Sequence, residues 1–126
     1  MIRFHIVSLF PEVCRSYCEA SILGRAQKEK LITVSYVNPR DFAKDKHQKA
    51  DNRPYGGGPG MVMLAEPLLL ALEKVSKDIA RTALRSRPKD LRDPIPQNRK
   101  KKAKTKVILF SPRGTQYTNA YAKNLV

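Results

Sequence analysis

The residues best suited to chemistry sit in one run, Arg53-Pro54-Tyr55-Gly56-Gly57-Gly58-Pro59-Gly60-Met61. Three consecutive glycines let the backbone take positive φ and come close to a ligand, while Pro54 and Pro59 keep the loop partly stiff. The implied partner is flat or anionic. The run is not a phosphate-binding P-loop, because no Lys-Ser/Thr pair follows its last glycine, and it lacks the strand-to-helix spacing of a dinucleotide fingerprint. A plain flexible turn has the same glycine content. His47, Asp51 and Arg53 lead into it. An aspartate can accept from a base edge, an arginine can hold phosphate or a base bidentately, and His47 could do either. A second short candidate, Ser111-Pro112-Arg113-Gly114, follows the apolar run Val107-Ile108-Leu109-Phe110. In open α/β sheets ligands sit beyond the carboxyl ends of strands, so this turn is placed for binding, although a simple Pro-Gly turn looks the same.

Elements on either side must position these loops. Residues 2–9 alternate large apolar with other side chains and end at Phe10-Pro11, which predicts a strand, a turn and then a helix to about Ala20. A short polar helical piece follows from Ser21. Residues 31–37 are rich in β-branched and aromatic types and stop at Asn38-Pro39, a second strand. Strand-helix-strand order favours a parallel pair with a right-handed crossover. Residues 40–60 have no clear periodicity and read as one long loop. Glu66-Pro67, followed by Leu68, Leu69, Leu70, Leu72 and Val75, predicts an amphipathic helix. Residues 107–110 read as a short buried strand, and Thr118 or Asn119 as the cap of a last helix.

Charge bounds the partner. The 126 residues carry 25 Lys+Arg against 11 Asp+Glu, a net charge of +14, which points to a polyanion, nucleic acid first. Residues 81–106 hold eleven Lys or Arg against Asp90 and Asp93, so they supply +9 of that total. With so few apolar residues this stretch is expected to be a disordered or loosely ordered insertion. No apolar run is long enough to span a membrane and no cleavable leader is evident, so a cytoplasmic protein is expected. Cys14 and Cys18 lack further Cys or His neighbours for a tetrahedral metal site and read as reduced thiols on a half-buried helix face.

In order along the chain stand Val7-Ser8-Leu9-Phe10-Pro11-Glu12, Gly24-Arg25-Ala26, Asn38-Pro39-Arg40-Asp41-Phe42, Asp45-Lys46-His47, the run from Asp51 to Met61, and Ser111-Pro112-Arg113-Gly114. Together they resemble the N-terminal region of the bacterial tRNA (guanine-N1)-methyltransferase family across the whole chain except residues 81–106. The resemblance implies an α/β domain with a parallel sheet and flanking helices, the first part of a SPOUT trefoil-knot methyltransferase. It implies a homodimer that moves methyl from S-adenosylmethionine to N1 of the guanine 3′ of the anticodon, with the tRNA anticodon stem-loop as partner. It also implies roles. Leu109, Phe110, Ser111, Pro112 and Gly114 match walls of the methyl-donor pocket; Arg25, His47, Asp51, Arg53, Tyr55, Pro59 and Gly60 match the side facing guanine and tRNA. Two positions depart from the family: Asn52 stands where a second acidic residue is common, and Arg113 replaces the usual Gln. The resemblance further implies that the Gly-Arg-Tyr-Glu-Gly segment, the knot-threading loop and the general-base aspartate lie beyond Val126. The expectation is therefore a chain without catalytic residues of its own and inactive alone. The alternative is a non-catalytic RNA-binding module that uses the basic insertion and the same scaffold.

Overall fold

A computed structural model describes residues 1–85 and 105–125, which fall into two compact units, Met1–Pro88 and Lys89–Val126. In the first, β1 (Ile2–Val7) runs to α1 (Pro11–Cys18), α2 (Ser21–Lys28) and β2 (Ile32–Val37). The strands pair in parallel, with Ile2 opposite Ile32 and Val7 opposite Val37, as strand-helix-strand order predicts. Pro11 opens α1 at its first turn. α2 closes with Lys30 at φ +58, the Lys30 N–H donating to the Gln27 carbonyl (3.0 Å) and the Leu31 N–H to that of Ala26 (3.0 Å). This left-handed cap satisfies the last helical carbonyls and turns the chain into β2. Gly24 is required by packing: a Cβ there would stand 2.1 Å from the Glu19 carbonyl oxygen, so α1 and α2 turn against each other only without a side chain.

Alternate strand residues face opposite sides of the sheet. Val7 and Val37 meet Ala71, Val75 and Ile79 of α3 (Ala65–Arg85) on one side. On the other, Tyr36 lies under the Arg15 guanidinium of α1, 5.3 Å from its ring centre. The inward line of α3 is Pro67, Ala71, Val75 and Ile79, spaced four apart, while Leu69 is exposed. Leu68, Leu70 and Leu72 are half-buried beside that line. Small residues at the contact let the 3-10 turn Pro39–Phe42, with Pro39 fully buried, approach the helix closely.

Three expectations need correction. Residues 40–60 are not one featureless loop: they include that 3-10 turn and β3 (Asp51–Asn52), which pairs antiparallel with β4 (Val62–Met63). Helix α3 continues through Arg85, so the first residues of the basic stretch are helical, and residues 86–104 lie outside the described part. Residues 107–110 form no strand and are 54–89% exposed, because a strand needs a hydrogen-bonded neighbour and none is present among the described residues of the second unit. In that unit α4 (Asn119–Leu125) is capped by Thr118, whose Oγ1 accepts from the Tyr121 N–H (3.2 Å), as read from the sequence. Lys106 Nζ donates to the Asn124 and Leu125 carbonyls at the other end of α4 (2.9 and 2.5 Å). No described helix is long and apolar enough to cross a membrane.

Candidate functional site

The glycine-rich loop is tied at its base and open at its tip. Asp51 pairs with Met63 and Asn52 with Val62, and the Leu64 N–H donates to the carbonyl of Ala50 (2.8 Å), a fully buried residue. Residues 53–61 therefore leave and return through one short ladder. The Gly57 N–H donates to the Pro54 carbonyl (3.3 Å), closing a turn with Gly56 at φ +85 in its third position, where a type II turn needs positive φ. Around Gly56, Gly57, Gly58 and Gly60 an added Cβ would meet nothing within 4 Å. The glycines here serve conformation, and the backbone face beside them is free for a partner. Tyr55 is fully exposed, and Pro59 and Gly60 are exposed as well.

Asp51 is half-buried and faces Arg40, Nη2 to Oδ1 4.0 Å. Arg40 sits in the 3-10 turn that Asn38 caps, its Oδ1 accepting from the Arg40 N–H (3.0 Å). Phe42 of the same turn packs into the core, with Lys74 Nζ 6.0 Å from its ring centre. A chain of contacts thus runs from the core through the turn to the Asp51 carboxylate. Lys44 bonds Glu66 at the start of α3 (2.5 Å), and that hydrogen bond raises the Lys44 ammonium above its usual range. His47 lies exposed in the turn before β3, and the Arg53 N–H donates to Asn52 Oδ1 (2.8 Å).

The structure brings His47, Asp51, Arg53, Tyr55, Pro59 and Gly60 together on one loop system. Arg25 stands apart: it is exposed on α2, which packs on β2, and shares no hydrogen bond or ion pair with that loop. Leu109, Phe110, Ser111, Pro112 and Gly114 are all exposed in the second unit. There the Gly114 N–H donates to the Ser111 carbonyl (3.0 Å) and the Arg113 N–H to Ser111 Oγ (3.2 Å). Arg40 was missed as a functional candidate, since its pairing with Asp51 spans eleven residues of irregular chain and has no periodic signal. Among the described residues no group of His, Cys, Asp and Glu could hold a metal ion.

The sequence model of the tRNA (guanine-1)-methyltransferase family matches residues 2–126. The chain belongs to this family. The tRNA (guanine-N(1)-)-methyltransferase of Pseudoalteromonas atlantica is 41% identical over 122 residues, 97% of this chain and 38% of the relative. That of Ruminiclostridium cellulolyticum is 37% identical over 124 residues, 98% of this chain and 44% of the relative. The chain thus spans about two fifths of the length of these curated relatives. A crystal structure of the tRNA (m1G37) methyltransferase from Aquifex aeolicus superposes with a TM-score of 0.55 at 34% identity, over 61% of this chain and 34% of that one. The α/β arrangement with its parallel pair and flanking helices agrees with this family membership.

Proposed function

We propose that the protein carrying this chain is an S-adenosylmethionine-dependent enzyme that methylates N1 of the guanine immediately 3′ of the tRNA anticodon. These residues supply its guanine-facing loop and one wall of its methyl-donor pocket. The observation that carries the reading is the family match across residues 2–126, which includes both loops. The anticodon stem-loop as the recognised element, a homodimer as the working assembly and a cytoplasmic location belong to the same proposal.

The loop chemistry supports it. Guanine presents N–H donors along its N1 edge, and Asp51, oriented by Arg40, is an acceptor held on a rigid base. Gly56, Gly57, Gly58 and Gly60 leave room for a flat purine to approach the backbone, and Tyr55 offers an exposed ring for stacking. His47, Arg53 and Arg25 serve phosphates. Leu109 and Phe110, apolar and exposed beside the Ser111 turn, fit one wall of a pocket for a ligand with an adenine ring and a thioether-like arm. S-adenosylmethionine supplies an electrophilic methyl on a sulfonium. Guanine N1 carries a proton at neutral pH, so the reaction also needs a base. None of the carboxylates around the loop is assigned as that base: Asp51 is the guanine acceptor beside Arg40, Asp45 caps its own turn and Glu66 bonds Lys44.

Transfer of labelled methyl to tRNA tests the proposal. Incorporation is expected with guanine at the position 3′ of the anticodon and is expected to vanish when that guanine is replaced. Equal methylation of both tRNAs would sink it.

A further inference from the structure

Between residues 44 and 53 anions and cations are used differently. The Asp45 carboxylate accepts from the Lys49 N–H (2.9 Å), and the Asp45 carbonyl from the Gln48 N–H (3.1 Å), closing a turn with Gln48 at φ +49. Asp51 faces Arg40, and Lys44 is engaged by Glu66. Lys46, His47, Lys49 and Arg53, by contrast, are exposed, and none has an ion-pair partner among the described residues. Asp45 therefore shapes the backbone, and these four side chains are left without an acidic partner among the described residues.

This turn is also anchored. Lys49 precedes Ala50, which is fully buried and whose carbonyl holds the Leu64 N–H at the loop base (2.8 Å). From Lys49 to Arg53 the chain can extend at most about 14 Å, a span of a few nucleotides. Exposed cations without ion-pair partners among the described residues, within that reach of one another beside an open loop, suit a polyanionic strand.

We propose that Lys46 and Lys49, continuing the line of His47 and Arg53, form a phosphate-gripping strip that holds RNA backbone beside the glycine-rich loop. The inference rests on the proposed function for the identity of the RNA and deepens it by naming two residues. Lysines act as point charges, so the strip adds affinity and register and no base preference. It is distinct from the charge of residues 81–106.

The test compares the whole protein with a Lys46→Gln/Lys49→Gln variant and a Lys28→Gln/Lys30→Asn variant that removes the same charge from the end of α2. Binding to the tRNA anticodon stem-loop is followed by fluorescence anisotropy across a salt series, with circular dichroism as the check on folding. Removing one phosphate interaction with a single strand lowers the log–log salt slope by about 0.7. The strip variant is expected to lose about 1.4 of slope, while the α2 variant keeps most of it. An unchanged slope in the strip variant, or an equal fall in both, overturns the proposal. A parent that fails to methylate tRNA while the strip variant still flattens the slope would remove the proposed function and leave the strip standing. Full methylation with no effect of the strip variant would do the reverse.

Discussion

The glycine-rich loop and the Ser-Pro-Arg-Gly turn carry motifs of comparable brevity, yet they are held in different ways. The loop at 53–61 is bounded by a two-residue ladder, by the Leu64–Ala50 hydrogen bond and by Asp51 against Arg40. Its supporting 3-10 turn reaches the core through Phe42. Apart from Val7 and Val37, which share the core with Phe42, these contacts lie between residues 38 and 79. Among the described residues the turn at 111–114 has only its own hydrogen bonds to Ser111, and the apolar run before it stays exposed. A site fixed by partners nearby in sequence takes shape from a short stretch of chain; one set on a strand end takes shape when that strand has a neighbour.

The strongest way to break the better-held side is at Gly24. A Cβ there collides with backbone at 2.1 Å, so the helices must shift rather than a side chain rotate. Gly24→Ala is expected to destabilise the first unit by about 3 kcal/mol, the upper end of overpacking penalties, read as a lower urea midpoint with unchanged slope. A change below about 0.5 kcal/mol, the size of an ordinary surface substitution, would mean that the α1–α2 junction adapts freely.

A paired experiment sharpens the contrast between the loops. Gly56 has φ +85 with open space around it, so Gly56→Ala costs about 1–2 kcal/mol of backbone strain, expressed in the loop rather than in global melting. Gly114 has no such φ, and its added Cβ would lie 3.1 Å from the Ser111 carbonyl, a contact that a small local shift relieves. Labelled-methyl assays should therefore show a larger loss for Gly56→Ala than for Gly114→Ala. Equal losses would place the two turns under the same constraint.

The difference in support also explains what could be read from the residues alone. The parallel pair, α1, α2 and the Thr118 cap were legible because each rests on local pattern: alternation at Ile2, Phe4 and Ile6, proline at a first turn, a hydroxyl before a helix. The family was legible from motif order. Arg40 against Asp51 was not, because a salt bridge across irregular chain leaves no periodic trace. Helix α3 was legible as amphipathic, but that Pro67 and Ala71 share its buried line with Val75 was not, because small side chains carry little hydrophobic signal. Residues 107–110 have the composition of a strand, but composition cannot supply the partner that a strand requires.

The smallest expected effect lies beneath α1, at Tyr36. Its ring rests under the Arg15 guanidinium, while its hydroxyl is buried beside the Cys18 side chain. Burial pushes the hydroxyl from 10.0 up to about 12; the nearby Cys18 and Glu19 add to the rise, and Arg15 opposes it. The raised value means that the fold disfavours the phenolate. Below pH 10 both folded and unfolded chains keep the neutral phenol, so the contribution to stability is complete there. Between pH 10 and 12 the unfolded chain ionises first, and the contribution is lost as the pH rises. Tyr36→Phe removes this titration together with the hydroxyl's contact to Cys18, so at pH 7 its stability should stay within about 1 kcal/mol of the parent. In alkali it should lose less stability than the parent does. Urea unfolding at pH 7 and across the alkaline range, with phenolate absorbance of the parent minus that of the variant, reads both effects. Parallel stability losses in the two proteins, or a difference spectrum that titrates near 10, would show that this hydroxyl is reached by water in the folded sheet.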